Sequence, residues 1–195
     1  MEALYVLLVV AGLVVFTMLA LAMRRTRRDP ERKVAWTPIS NLIGGSYSST
    51  SRFTYNRYKI SGSYQGRPVE VFIEAHAAED VPPFYSYHLK IKVGSNRYDW
   101  AIRYGEPKYL ATQAGRYWHV QSIYPALTKR LADAGAIDLV KQATGKPHVS
   151  YKADAGTLEY ERSVESDTSI PAPAEFEAQF NLLTQLADLN KKLNV

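Results

Sequence analysis

An uncharged run from Ala3 to Met23 constrains this chain more than any other stretch. Its 21 residues, at about 1.5 Å each, make roughly 31 Å of helix, the thickness of a bilayer's hydrocarbon core. Thr17 is the one clearly polar member, and its hydroxyl can bond back to a carbonyl one turn earlier. A cleavable leader needs a basic start and a shorter apolar core. Here Met1-Glu2 comes first, although Ala20-Leu21-Ala22 has the small residues of a cleavage site. The run reads as a transmembrane helix over residues 1–23. Arg24, Arg25, Arg27, Arg28, Arg32 and Lys33 follow it, and cationic flanks stay on the cytoplasmic side. The expected topology is a single pass through the cell's inner (plasma) membrane, with the N-terminus outside and the C-terminal domain in the cytoplasm.

Charge belongs mostly to that flank. Residues 24–33 carry six basic and two acidic residues, net +4, whereas residues 34–195 carry 18 basic and 16 acidic, net +2. The sequence pI of 9.3 therefore describes a juxtamembrane cluster suited to anionic lipid head groups. It gives little support to nucleic-acid binding, which needs a basic domain surface. Trp36, just beyond the cluster, is placed to rest at head-group level. With no cysteine in the chain, disulfides and thiolate chemistry are excluded.

Residues 24–54 read as a basic juxtamembrane segment and linker. Pro30 is expected to interrupt the helix, Thr37-Pro38 to start a short new one and Gly44-Gly45 to end it. Ser46–Arg52 is polar and reads as a connector. Residues 55–195 form the domain proper. Tyr58, Ile60, Gly62 and Tyr64 alternate with polar residues, Gln65-Gly66 makes a two-residue turn, and Val69, Val71 and Ile73 return. Tyr85, Tyr87, Leu89, Ile91 and Val93 alternate likewise, followed after Gly94-Ser95-Asn96 by Tyr98, Trp100, Ile102 and Tyr104. These are expected to pair as a second hairpin, with Lys90 and Lys92 opposite Asp99 and Arg103. Tyr117–Val120 reads as a short strand. A helix from Pro125 ends at Gly135, a short one follows over 137–143, and a last hairpin turns at Ala155-Gly156. Residues 163–174 read as a mobile polar loop before a C-terminal amphipathic helix carrying Phe176, Phe180, Leu183, Leu186 and Leu189 on one side. The fold class is α+β, an antiparallel sheet with helices on one face.

Chemistry is sparse along this chain. There is no Gly-x-Ser-x-Gly elbow and no glycine loop for phosphate. His76, His88, His119 and His148 are scattered singly. The best acid–base or metal constellation brings His76 and His88 together across strands, flanked by Glu74, Glu79 and Asp80. No cofactor or metal is assigned. Fourteen tyrosines leave three readings open for Tyr85, Tyr87, Tyr98, Trp100 and Tyr104: core packing, a protein interface, or a stacking platform.

The hairpin containing Gly62-Ser-Tyr-Gln-Gly66-Arg-Pro-Val69, the Leu127–Leu131 helix ending at Gly135, and Leu186-Ala187-Asp188-Leu189 resemble features of bacterial membrane-anchored α+β domain proteins. The resemblance spans most of residues 55–193 and implies the architecture above. No activity attaches to those proteins, so it transfers no catalytic residue. The reading that results is a non-enzymatic, single-span accessory or scaffold subunit docking on a larger membrane complex, for instance an energy-transducing one. Two alternatives stand beside it: a sensor of lipid or ligand at the cytoplasmic surface, and an enzyme using the strand histidines and carboxylates.

Overall fold

The computed structural model describes the backbone of residues 2–52, 55–78, 81–94, 97–105 and 117–193. Side chains are described for these apart from 2–9, 19–29, 49–52, 55–57, 77–78 and 81–83. In chain order the elements are α1 (Glu2–Leu42), β1 (Ser46–Arg52), β2 (Tyr55–Tyr64), β3 (Arg67–Ala78), β4 (Val81–Lys92), β5 (Trp100–Gly105) and β6 (Tyr117–Ser122). Then come α2 (Pro125–Asp133), α3 (Ala136–Lys141), β7 (His148–Lys152), β8 (Thr157–Val164) and α4 (Pro173–Lys192). The strands form one antiparallel sheet in the order β1-β2-β3-β4-β8-β7-β5-β6. The chain is α+β.

Strand alternation decides which face is covered. Tyr58, Ile60, Val71, Ile73, Tyr87, Leu89, Leu158, Tyr160, Val149, Tyr151, Trp100 and Ile102 share one side and are at most 5% exposed. Against them pack Leu127 and Leu131 of α2, Val140 of α3, and Phe176, Phe180, Leu183 and Leu186 of α4. The β2–β3 turn takes positive φ at both central residues, Gln65 (48°) and Gly66 (76°), the twist a two-residue hairpin requires.

The end of α1 is part of this core. The expected break at Pro30 and restart at Thr37 do not occur, and α1 runs through Pro30 and Pro38. Pro38 has no N–H for the carbonyl of Val34, a residue on the exposed side of the helix at 74% exposure. Thr37 Oγ1 donates to the Lys33 carbonyl at 2.6 Å instead of capping a new helix. Trp36, expected at head-group level, is buried with Ile39 and Ile43, and its indole N–H donates to the Asp167 carbonyl at 3.2 Å. Arg32, expected to face lipid, is also buried. Its Nε donates to Asp167 Oδ2 at 2.9 Å, and its guanidinium lies 4.1 Å from the Tyr58 ring centroid. Burial of both follows from α1 continuing as one helix into the sheet, which carries their positions onto its packed face. The segment 163–174, expected to be a mobile loop, instead holds the end of β8, the start of α4 and a connection between them tied down through Asp167.

Two further expectations are corrected. Ser46–Arg52 is an edge strand on β2 and not a connector, with Tyr47 opposite Ile60. Small hydroxyl residues suit an edge that meets solvent. The second hairpin does not form: β4 pairs with β3 and β8, whereas β5 pairs with β6 and β7. The β7–β8 hairpin inserts between them. Lys90 thereby meets Glu159 at 3.2 Å, and Lys152 meets Asp99 at 3.5 Å. Opposite charges are matched, but with other partners than the expected pairing of Lys90 and Lys92 with Asp99 and Arg103.

Among the described residues, no helix is long and apolar enough to cross a membrane. Within α1 the described stretch Val10–Met18 is nevertheless exposed at every position, including Leu13, Phe16 and Met18.

Candidate functional site

The sheet face opposite the helices carries a dense polar cluster among the described residues. Alternation puts Glu74 and His76 of β3, Ser86 and His88 of β4, and Glu159 and Glu161 of β8 on that side. The register sets Glu74 opposite Ser86 and His88 opposite both Phe72 and Glu161. Phe72 stacks on His88 with ring centroids 4.5 Å apart, and His76 stacks on Phe84 at the same distance. The aromatic contacts fix both imidazoles in plane.

A relay of hydrogen bonds crosses the cluster. His76 Nε2 and His88 Nε2 each lie 2.7 Å from Ser86 Oγ, and His88 Nδ1 lies 2.8 Å from Glu159 Oε1. Because Nδ1 faces a carboxylate it carries the imidazole proton, which leaves Nε2 with its lone pair. The Ser86 hydroxyl then donates to His88 and accepts from His76. Burial alone would raise the Glu159 carboxyl, but the His88 hydrogen bond and the charge of Lys90 outweigh it and hold it below the usual value. For Glu161, the hydrogen bond from His148 at 3.2 Å is the main cause of a similar lowering.

Ser86, His88 and Glu159 have the connectivity of a nucleophile, base and orienting acid. Acyl transfer also needs donors for an oxyanion beside the nucleophile. Here β4 is paired on both edges, so its N–H groups are committed to the ladder. Ser86 is 3% exposed, which closes it to a substrate carbonyl. What converges instead is a set of metal-type donors: one ligand atom each from Glu74, His76 and His88, all within 4.8 Å of one another.

The other sequence-predicted residues divide clearly. Tyr87 and Trp100 are core residues, 0% and 2% exposed, and are no interface. Burial pushes the Tyr87 phenol well above its usual range. Tyr85 and Tyr98 pack partly against the core, while Tyr104 is half-buried under Lys146, whose Nζ lies 4.1 Å from the ring centroid. Lys33 is exposed, and the side chains of Arg24, Arg25, Arg27 and Arg28 lie outside the described residues, as do Glu79 and Asp80. Ser86 and Glu159 escaped the sequence reading. Ser86 was accessible from strand parity, two positions before His88, but Glu159 depends on β8 lying beside β4. No family model, curated protein or solved structure matches the chain.

Proposed function

We propose that this chain is a non-enzymatic, single-span membrane protein whose α1 crosses the bilayer with its N-terminus outside and holds the α+β domain at the cytoplasmic surface. There it serves as an accessory or scaffold subunit of a larger membrane complex. One observation carries the reading: a single helix joins the apolar run to the domain core. Trp36, Ile39 and Ile43 anchor its end in the sheet, while the apolar stretch Val10–Met18 stands exposed all round. A helix apolar on every side requires an apolar surrounding. A span built into the domain also fixes the domain's height and orientation at the membrane, as a scaffold requires. Lys33, exposed on α1 beyond the apolar run, would meet anionic head groups.

The absence of native cysteine makes the topology directly testable. Single-cysteine variants Glu2→Cys and Asp154→Cys, the latter in the exposed β7–β8 turn, are probed with an impermeant maleimide on intact cells. Labelling of the first but not the second is expected, and the reverse pattern overturns the orientation. Gentle-detergent purification from native membranes should then retain a stoichiometric membrane partner whose activity falls when this gene is deleted. Full activity of the complex without this chain overturns the scaffold reading.

A further inference from the structure

Glu74, His76 and His88 present three metal-type donors on the helix-free face of the β3–β4 pair. We propose that they form a binding site for a divalent transition ion of the Zn2+ class, which clasps β3 to β4. The inference is independent of membrane topology and adds a ligand to the scaffold reading.

Three features beyond proximity favour it. The donors are chemically matched, since two imidazoles and a carboxylate are a common Zn2+ set that leaves a fourth position open. The His88 ring is already oriented as a ligand, with Nδ1 on Glu159 and Nε2 turned to the shared locus. Stacking on Phe72 and Phe84 holds both rings at that locus without competing for their nitrogens.

Distances set how far the site must close. Bonds of about 2.0–2.2 Å in a tetrahedron place ligands about 3.3–3.6 Å apart. The donors lie within 4.8 Å, so closure of about an ångström by side-chain torsion suffices. In the metal-free arrangement the Ser86 hydroxyl occupies the space between the two Nε2 atoms. Loading the ion turns that hydroxyl aside. Glu74 and His76 are half-buried, giving the ion a way in from solvent, whereas His88 is only 5% exposed. Glu74 Oε2 already stands 3.9 Å from His88 Nε2, so the carboxylate lies beside the imidazole with which it would share the ion.

Full-length, tag-free protein is stripped with chelator in detergent and titrated with Zn2+ against a chromophoric competitor. Co2+ is titrated in parallel and followed by visible absorption. One equivalent of Zn2+ per chain is expected, with Co2+ bands of four- or five-coordinate intensity. Glu74→Gln and His76→Gln should each weaken binding by about a hundredfold, and Glu159→Gln by about 10–100-fold through loss of ring orientation. Ser86→Ala should keep the stoichiometry, because the hydroxyl competes with the ion and does not ligate it. Glu74→Gln replaces one atom of a half-buried side chain, so its binding remains readable even if a histidine variant misfolds. Absence of stoichiometric Zn2+ binding by the wild-type chain overturns the site. So does wild-type affinity in folded Glu74→Gln, or loss of binding in folded Ser86→Ala.

Discussion

Arg32 and Asp167, 135 positions apart, form a buried ion pair that fastens α1 to the loop between β8 and α4. Asp167→Ala would leave the guanidinium in place over Tyr58 without its carboxylate. Breaking a buried pair on one side costs about 3–5 kcal/mol. The Asp167 side chain keeps 13% exposure, so a loss near the lower end, about 3 kcal/mol, is expected in denaturant unfolding. The double variant Arg32→Met with Asp167→Leu should recover part of that loss, because the guanidinium leaves together with the carboxylate it pairs with. A single variant as stable as wild type would show that α1 is not fastened there.

Tyr87 has the opposite expectation. Its hydroxyl is fully buried and has no hydrogen-bond partner among the described residues. An unsatisfied buried hydroxyl costs about 1–3 kcal/mol. Tyr87→Phe removes it and keeps the ring packed edge-on to Tyr160 at 6.4 Å. Stability should hold or rise by about 1 kcal/mol in the same unfolding assay. A clear loss would mean that the hydroxyl is bonded after all.

Local pattern made part of this architecture readable. The β2–β3 and β7–β8 hairpins announced themselves by alternation around Gln65-Gly66 and Ala155-Gly156, and α4 by its Phe176–Leu186 stripe. Long-range pairing was not readable. The insertion of β8 beside β4 sets Lys90 opposite Glu159 and Leu89 opposite Tyr160, partners far apart in sequence that no local period encodes. The candidate site shows the same division. His76 and His88 were placed across adjacent strands from parity alone, whereas Glu159, 71 positions from His88, required the fold. Pro30 and Pro38 misled for a physical reason: proline removes one helical hydrogen bond and adds a steric clash, but tertiary packing of Trp36 and Ile39 holds the helix through them.

Acid should loosen the helix-free face. Glu159 and Glu161 are both held below their ordinary value near 4.5. A carboxyl so lowered binds fewer protons folded than unfolded. Its stabilising contribution is complete above the ordinary value and disappears as pH falls through the lowered folded value. Metal-free protein unfolded in denaturant at a series of pH values should lose stability below about pH 4.5. The double variant Glu159→Gln with Glu161→Gln should show a shallower loss across the same window. Identical slopes for the two proteins would remove these carboxylates as the cause.

Gly62 lies where the end of α1 meets β2, and space rather than backbone conformation demands glycine there. A Cβ at this position would collide with the Ile43 carbonyl oxygen and stand 2.9 Å from Gly45 Cα. That carbonyl accepts the Ser63 N–H at 2.8 Å, so it cannot retreat without breaking the bond that joins helix to sheet. Gly62→Ala should therefore cost about 1–3 kcal/mol by overpacking and should speed hydrogen exchange at the Ser63 amide. Gly66→Ala is the control. Nothing lies within 4 Å of a Cβ there, but its φ of 76° is left-handed, so about 1–2 kcal/mol is expected with no change at Ser63. The stability losses can overlap, but the exchange readout separates them. If Gly62→Ala left Ser63 as protected as in wild type, the close approach of α1 to β2 would not be the reason for glycine.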